Sequence, residues 1–328
     1  MTKIFIVGGE HKKYNYLSKK EWYTSKQGII IELDLDTNEG RICTQYISPP
    51  DVSAEDLSST TFKAGTICNN KFYVPTLTEV LIYQLPNFEQ IGYISLPCFN
   101  DLHHVVPTDN DSLLVVSTGL DMVVKVSPSG ERLQEWNVLG KNPWHKFSPD
   151  IDYRKWATTK PHESHPNYVS LIGDRIWVTR FEQKDAVCLQ NQAETINIGI
   201  EGAHDGIYFD NYIFFTTVNG YVVKADVDTK QIVEVYNLNE ISDKDNSVGL
   251  GWCRGLKILD NNFAVVGFSR LRPTKFIKNI QWLRYNLGLK EIKEQLPTRV
   301  VLLDLKERKI IKEFVVEDYC VNMIFSVN

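Results

Sequence analysis

Residues 202–217 read Gly-Ala-His-Asp-Gly-Ile-Tyr-Phe-Asp-Asn-Tyr-Ile-Phe-Phe-Thr-Thr. The segment contains a polar start, a short apolar run, an Asp-Asn pair and a second apolar run. Apolar runs of this length, rich in Ile, Tyr and Phe and joined by Asp-Asn, are typical of a β-hairpin. The same order of features recurs at 103–117, 165–179 and 253–267. The chain is therefore predicted to repeat one β-hairpin unit.

The repeats begin at regularly spaced positions. The predicted strand starts are separated by 40, 62, 39 and 49 residues. They are Lys63, His103, His165, His204 and Cys253. Insertions at 140–163 and 239–248 account for the two longer intervals. The underlying repeat of about 40 residues is the length of a four-stranded propeller blade.

The two ends of the chain complete the count of blades. Residues 320–327 form a predicted inner strand with no partner after it, and 3–7, 28–35 and 40–47 are three strands with no inner strand before them. Joined, they make one blade and pair the last free sheet edges. We therefore predict a single all-β domain, a six-bladed β-propeller; paired β-sandwiches and rings of five or seven blades are the alternatives. The predicted blades are blade 1 (1–48 with 318–328), blade 2 (60–97), blade 3 (101–138), blade 4 (164–199), blade 5 (203–238) and blade 6 (252–316).

Three long insertions fall on the face of the ring where the inner strands begin. They are residues 10–26, 140–163 and 269–297, the last of them inside blade 6. In that last insertion, apolar residues recur at helical spacing from Phe276 to Leu287 and end at Gly288. This pattern predicts a helical insertion that packs as a lid over the mouth of the propeller.

Composition and charge argue against several classes of function. The 328 residues include 43% hydrophobic residues and carry a formal net charge of −5, which allows a large core and disfavours nucleic-acid and anionic-membrane partners. No apolar run approaches the roughly 20 residues that cross a bilayer. Six widely spaced cysteines and a first segment without an export-signal pattern favour reduced thiols and a cytoplasmic location. The oligomeric state is left open.

Histidines recur at the predicted strand starts. His103, His165 and His204 come from successive blades, and three neutral imidazoles can hold a metal while leaving one position open. We therefore predict a divalent metal cofactor, zinc first, with iron, copper and calcium as the other choices. His104 competes with His103, because a shift of one residue exchanges the two faces of a strand. Histidines with a purely structural role are the alternative interpretation.

Other polar and aromatic side chains near this ring supply further candidates. The candidate catalytic residues are His104 and Asp205 for proton transfer and Arg254 for binding an anion. Cys253 and Cys320 complete the predicted ring and are interpreted as packed thiols. The candidate substrate-binding residues are Lys63, Trp144, Arg180 and Arg270. Together these groups favour a small, anionic substrate molecule.

The chain resembles six-bladed propellers of the NHL and peptidyl-amidoglycolate-lyase kind, and more distantly the gluconolactonase group. The resemblance rests on the architecture and on His103, His165 and His204, the last followed by Asp205. It implies a zinc ion held by histidines of separate blades, near an arginine. The long insertions and the cysteines depart from it.

Three functional hypotheses follow. The first is a metal-dependent lyase or hydrolase that acts on a small anionic molecule at the mouth of the propeller. The second is a non-catalytic propeller that binds a peptide or a small ligand on the same face. The third is a metal-free lyase or hydrolase that uses His and Asp alone. A deep site under the insertions favours an enzyme, whereas an open, flat face favours a scaffold.

Overall fold

The computed structural model describes residues 2–12, 25–56, 58–244, 248–270 and 294–328. These residues form six four-stranded antiparallel sheets, each of which is one blade. Blade 1, from its inner to its outer edge, consists of β26 (Met323–Val327), β1 (Lys3–His11), β2 (Ser25–Asp34) and β3 (Gly40–Tyr46). Blade 2 consists of β4 (Thr66–Cys68), β5 (Lys71–Pro75), β6 (Val80–Gln84) and β7 (Glu89–Ile94). Blade 3 consists of β8 (Leu102–Pro107), β9 (Leu113–Ser117), β10 (Met122–Val126) and β11 (Arg132–Asn137).

The remaining three blades follow the same order. Blade 4 consists of β12 (Pro166–Ile172), β13 (Arg175–Arg180), β14 (Asp185–Cys188) and β15 (Asn191–Asn197). Blade 5 consists of β16 (Ile207–Phe209), β17 (Tyr212–Thr217), β18 (Tyr221–Asp226) and β19 (Ile232–Asn237). Blade 6 consists of β21 (Trp252–Ile258), β22 (Phe263–Ser269), β24 (Arg299–Asp304) and β25 (Lys309–Val315).

A few short elements lie outside the blades. A parallel pair joins β20 (Val248–Gly249) to β23 (Glu294–Gln295). The α-helix of the described residues is α1 (Leu238–Ile241), and their short 3-10 helices are Pro50–Val52, Thr118–Leu120, Tyr153–Lys155 and Glu317–Tyr319. The helix predicted in the blade 6 insertion lies outside the described residues. No helix within the described ranges is long and apolar enough to cross a bilayer.

The closure of the ring confirms the predicted six-bladed, all-β architecture. β1 pairs with β2 on one side and with the C-terminal strand β26 on the other. The amide of Gly65 in blade 2 donates a 3.3 Å hydrogen bond to the Ser326 hydroxyl oxygen on β26. The first and last parts of the chain are thus joined across the closure.

The burial of each strand follows its place in the blade. All five residues of β9 are buried, because neighbouring blades cover both faces of a second strand. The outer strand β25 alternates between exposed and more buried side chains, as a half-solvated strand does. In blade 5, the predicted turn at Asp210 and Asn211 has φ values of 49° and 64°, the left-handed pair of a type I′ hairpin.

The hydrophobic core lies between the blades rather than inside any one of them. Six clusters of buried side chains in the described residues fill the interfaces between neighbouring blades. Trp177 of blade 4, for example, shares a cluster with Phe215 of blade 5. Since each blade buries its faces only against its neighbours, the stability of the ring depends on its closure.

Candidate functional site

A cavity of about 380 Å³ opens at the mouth of the ring, where the inner strands begin. Residues 154–162, from the insertion between blades 3 and 4, contribute to its wall. Six of the sequence-predicted residues also line it: Lys63, His103, His165, His204, Arg254 and Arg270. The fold therefore brings the predicted histidines and three predicted cations into one place.

β-Bulges at the starts of the inner strands set the direction of some of the side chains at this site. In blade 3, β8 skips one residue in its register with β9, and the extra residue is His103. The same irregularity between β12 and β13 leaves Asn167 as the extra residue in blade 4. In blade 6 the register of β21 shifts between Cys253 and Leu256, around Arg254. A bulge turns a side chain out of the regular alternation of a strand, and bulges are frequent beside functional sites.

The register also corrects the alignment of the repeats. His103 is equivalent to Asn167, whereas His165 occupies the position of Asp101. Asp101 and His165 both adopt left-handed backbone, with φ of 47° and 55°, a region that Asp and His tolerate better than most side chains. The prediction that His103 and His165 occupy one repeat position was wrong by two residues, because it aligned the apolar runs and the histidines rather than the paired strand residues.

His103 is held by an amide on the next blade. Its Nδ1 lies 2.7 Å from the Asn167 Oδ1, and the Asn167 Nδ2 donates to the Ala203 carbonyl oxygen at 2.8 Å. This second bond fixes the orientation of the amide, so Nδ1–H of His103 is the donor and Nε2 is the acceptor. His103 Nε2 lies 3.4 Å from the Asp101 Oδ1. Burial, reinforced by the positive charge of Lys63, lowers the pKa of His103 to about 3.

His165 is held by a second histidine. Its Nδ1 lies 2.7 Å from the His162 Nδ1, and the His162 Nε2 lies 3.3 Å from the Thr159 Oγ1. The Thr159 hydroxyl donates to the Gly119 carbonyl oxygen and so accepts from His162 Nε2–H. His165 Nδ1–H is then the donor to His162, and its own Nε2 carries a lone pair. Burial, followed by the nearby His103, lowers the pKa of His165 well below its usual range.

His204 is held by a backbone carbonyl of blade 6. Its Nδ1 lies 3.3 Å from the Cys253 carbonyl oxygen. The Phe181 ring packs against both His204 and His165, with centroids 5.6 and 5.4 Å away. Burial, followed by the positive charge of Arg254, lowers the pKa of His204 well below its usual range.

Two cations lie against one aromatic ring in the cavity wall. Lys63 Nζ is 4.5 Å from the Phe325 ring centroid, and the Arg254 Cζ is 4.4 Å from it. Lys63 also donates to the Asp101 Oδ1 at 3.0 Å. Burial, the largest single influence, raises the pKa of Asp101, but Lys63 together with His103 and His165 outweighs it and holds that pKa well below the usual range. Asp101 is therefore a carboxylate at neutral pH.

The three predicted metal ligands share the cavity but do not form a metal site as they are placed. No group of three or more His, Cys, Asp or Glu side chains in the described residues has an arrangement that could hold a metal ion. A structural metal site needs donor atoms about 2.0 to 2.3 Å from one point. The predicted set of described residues does not fit a metal in this arrangement.

Two predicted catalytic residues point into the blades, outside the described cavity wall. His104 stacks on Tyr168 with ring centroids 3.5 Å apart, and its Nδ1 accepts from the Val169 amide at 3.3 Å. The Asp205 carboxylate accepts from the Thr216 hydroxyl and, at 3.0 Å, from the Gly255 amide. Both residues directly follow a cavity histidine in the sequence. Their contacts join blades rather than face a ligand.

Two predicted substrate-binding residues are also outside the described cavity wall. Arg180 is engaged by both Asp185 carboxylate oxygens at 2.8 and 2.6 Å. The Trp144 indole donates to the Glu135 carboxylate at 2.7 Å and packs on the blade 2 and blade 3 core. Arg270 does reach the cavity, but both arms of its guanidinium bind Glu317, at 2.9 and 2.7 Å.

The two cysteines of the predicted ring do not line the described cavity wall. Cys253 is buried in the core cluster of blades 5 and 6, and its neighbour Arg254 reaches the cavity instead. Cys320 is exposed and precedes β26, where Met323 lines the cavity. The interpretation as a packed thiol is confirmed for Cys253 and wrong for the exposed Cys320.

Four cavity-lining residues were not predicted from the sequence: Asp101, Lys160, His162 and Phe325. Asn167, which holds His103 from the next blade, was also not predicted. Asp101 lies two residues before His103, and Asn167 lies two residues after His165. A search for polar residues two positions before and two positions after each candidate histidine would have found Asp101 and Asn167. No repeat signal marks His162, since it belongs to an insertion.

We predict that Asp121 organises the segment leading into His165. Its carboxylate accepts from the amides of Glu163, Ser164 and His165 at 2.7, 3.1 and 2.8 Å. Asp121→Ala should lower the free energy of unfolding by about 2 to 4 kcal/mol, because it leaves buried amides without an acceptor. Urea unfolding measures this change. The exposed Asp109→Ala is the control, and an equal, small effect of both variants would contradict the prediction.

We predict that His104 makes the fold sensitive to acid. Burial lowers the pKa of His104 from 6.5 to about 3, so the unfolded chain binds this proton at a higher pH than the folded protein does. The contribution of neutral His104 to the free energy of unfolding is then fully present above about pH 6.5 and is lost as the pH drops toward 3. His104→Asn should remove about 2 kcal/mol of the stability difference between pH 7 and pH 5 in urea unfolding. An unchanged difference would contradict this.

The comparisons with known proteins support the fold. No protein-family model matches the chain, and no curated protein matches it in sequence. A solved protein of unknown function from Bacteroides caccae is similar with a TM-score of 0.61 and 13% identity, over 99% of this chain and 97% of that chain. The Neurospora crassa Pan2 WD40 domain gives a TM-score of 0.46 and 11% identity, over 77% and 65% of the two chains. At these identities the first similarity supports the propeller fold alone.

Proposed function

We propose that the protein is an enzyme that binds a small anionic molecule in the mouth cavity and acts on it as a hydrolase or lyase. The observation that carries the proposal is the placement of Lys63 and Arg254 against the same Phe325 ring, 4.5 and 4.4 Å from its centroid. An ammonium and a guanidinium that line one cavity beside the same aromatic ring favour a carboxylate or phosphate group there.

The charge of the cavity wall supports an anionic ligand. Among the described residues, the wall contains five Lys and Arg residues but two acidic residues, although the whole chain has a net charge of −5. Arg154 and Arg270 are paired with Asp152 and Glu317. An excess of positive charge in a cavity of low dielectric attracts anions and raises their local concentration.

The histidines support a role beyond binding. Buried and beside cations, His103, His165 and His204 are neutral in the ligand-free cavity. A bound anion would stabilise the charged imidazolium and raise these pKa values. Binding would therefore prepare an imidazole to accept a proton from the ligand or from water, which is the role of a general base.

The site also bears on the competing hypotheses. A concave cavity lined by several imidazoles favours an enzyme over a scaffold that uses a flat face. The resemblance to the peptidyl-amidoglycolate-lyase kind suggests a lyase, and the proposal keeps that possibility beside a hydrolase. A non-catalytic propeller would bind the same anions without turnover.

The proposal is tested with pairs of acids and their neutral amides. Benzoate and succinate, added to the intact protein at low ionic strength, should raise its melting temperature, whereas benzamide and succinamide should not. Screening by added salt should weaken the effect of the acids. Equal shifts with acids and amides, or no shift with either, would contradict an anion site.

Metal-dependent catalysis is the second candidate. One observation favours it: each of the three histidines has its Nδ1 next to a protein acceptor, the Asn167 amide, His162 or the Cys253 carbonyl. Metal-binding histidines are commonly held in this way, with the other nitrogen facing the metal. A site would require the three side chains to move together on binding.

Cobalt(II) titration tests the second candidate without an activity assay. A tetrahedral site formed by the histidines should produce visible absorption that His165→Ala abolishes, and purified protein should contain close to one equivalent of metal. Absence of both signals in the wild-type protein would reject metal-dependent catalysis and leave the metal-free form of the proposal.

A further inference from the structure

Two hydrogen-bond acceptors face each other in the cavity wall. His103 Nε2 lies 3.4 Å from the Asp101 Oδ1. The hydrogen-bond network places the proton of His103 on Nδ1, because the Asn167 Oδ1 is the acceptor there and its Nδ2 is committed to the Ala203 carbonyl oxygen. The side chain of His103 is 4% exposed and that of Asp101 is 22% exposed. His103 and Asp101 both line the cavity, so a ligand in the cavity can supply a donor to this lone pair or to the carboxylate.

One of these two acceptors, the Asp101 Oδ1, already has a positively charged donor in the protein. Lys63 Nζ donates to the same Asp101 Oδ1 at 3.0 Å, which provides the carboxylate with its counter-charge. Lys63 also contacts the Phe325 ring that Arg254 shares. The two acceptors, His103 Nε2 and the Asp101 carboxylate, therefore lie next to Lys63, one of the two cations of the proposed anion site.

A hydroxyl group fits between these neighbours better than an ammonium group. A hydroxyl can donate its proton to His103 Nε2 or Asp101 while its oxygen accepts from Lys63. An ammonium has no lone pair to accept that bond and would repel the Lys63 charge. The preference is therefore for a neutral donor that sits next to the anionic group.

We propose that the cavity recognises hydroxy acids: an anionic group bound by Arg254 and Lys63, and a hydroxyl on a neighbouring carbon that donates its one proton to His103 Nε2 or to the Asp101 carboxylate and accepts from Lys63. This inference rests on the proposed function, since it names the class of ligand for the same site. It adds His103 and Asp101 as the residues that determine specificity for the hydroxyl group.

The test compares acids that differ in one hydroxyl group. Ligand-observed NMR titrations measure the dissociation constants of malate and succinate, and of lactate and propionate, with the intact protein. We expect each hydroxy acid to bind at least about tenfold more tightly than its partner, because the partner displaces water from these cavity-wall acceptors without supplying a donor. His103→Phe should bring the ratio close to one while both acids still bind.

The outcomes separate this inference from the proposed function. If none of the acids binds, the anion site itself is wrong. If each pair binds equally to the wild-type protein, the hydroxy-acid preference is wrong and the anion site stands. A tenfold preference that survives His103→Phe in a folded variant, as judged by its melting curve, also overturns the assignment. Asp101→Asn is the second variant and should reduce the preference without removing binding.

A chelator separates direct recognition from recognition through a metal ion. The preference for malate over succinate should be unchanged after treatment with EDTA, because His103 and Asp101 contact the hydroxyl directly. Loss of the preference in EDTA would overturn the assignment, since a metal ion would then be the partner of the hydroxyl group.

Discussion

Lys63→Met is expected to weaken benzoate binding by at least about 100-fold, and Arg254→Met by about 10- to 100-fold. A hydrogen bond to a charged group contributes roughly 1.5 to 3 kcal/mol, which is the basis of the second figure. The effect at Lys63 is larger because its removal also leaves Asp101, 3.0 Å away, without its counter-charge. The uncompensated carboxylate would repel the anion inside the cavity. NMR titration at low ionic strength measures both changes.

Matched variants outside the cavity control for net charge. Lys3→Met and Arg41→Met remove a cation of the same type from the Glu32 pairs on blade 1, and each should change benzoate affinity less than twofold, because exposed charges are screened. If either control weakens binding as much as its cavity counterpart, the anion is attracted by overall charge and the assigned site is wrong.

Gly8→Ala is expected to lower the free energy of unfolding by at least about 3 kcal/mol. Gly8 lies on β1 where it pairs with the C-terminal strand, and a Cβ built on it would lie 1.8 Å from the Met323 carbonyl oxygen. The clash is with backbone, so a rotamer change cannot relieve it. The two strands would have to separate at the closure of the ring, on which the packing of every blade depends. Urea unfolding measures the loss.

Gly173→Ala is the control for adding one methyl group. Its Cβ would meet nothing within 4 Å, but its φ of 61° is in the left-handed region, so the expected cost is only about 1 kcal/mol. If Gly8→Ala costs no more than Gly173→Ala, the close approach of β1 to β26 does not hold the ring together.

The architecture could be predicted because its signals are local and repeated. The Asp210-Asn211 turn, the spacing of about 40 residues and the unpartnered segments at the two ends each follow from the chemistry of short sequences. Closure follows from topology, since a free inner strand at one end matches three strands at the other. The helix predicted in the blade 6 insertion depends on residues that the structure does not describe.

The site could be predicted as a location but not as a set of contacts. Lys63, His103, His204 and Arg254 reach the cavity because each lies at the start of an inner strand. A bulge shifts the strand register by one residue, and a shift of one residue turns a side chain from the cavity toward the core. Cys253 was placed on the wrong side by such a shift, whereas Arg254 beside it reaches the cavity.

Partners from other blades could not be predicted from single repeats. Asn167 binds His103, and Asp101 is shared by His103 and Lys63, across separations of 64 and 38 residues. These distances in sequence carry no pattern that links one residue to the other. His162, from the insertion between blades 3 and 4, likewise meets His165 only in the folded protein.

A crystal structure of the intact protein soaked with 4-bromobenzoate tests the central claim most directly. The bromine gives an anomalous signal that locates the ligand independently of any assumption about the site. We predict one strong bromine peak in the mouth cavity, with the carboxylate within about 3 Å of Lys63 Nζ and of an Arg254 nitrogen. Bromine peaks only at other surfaces, with Lys63 and Arg254 contacting no anion, would contradict the account.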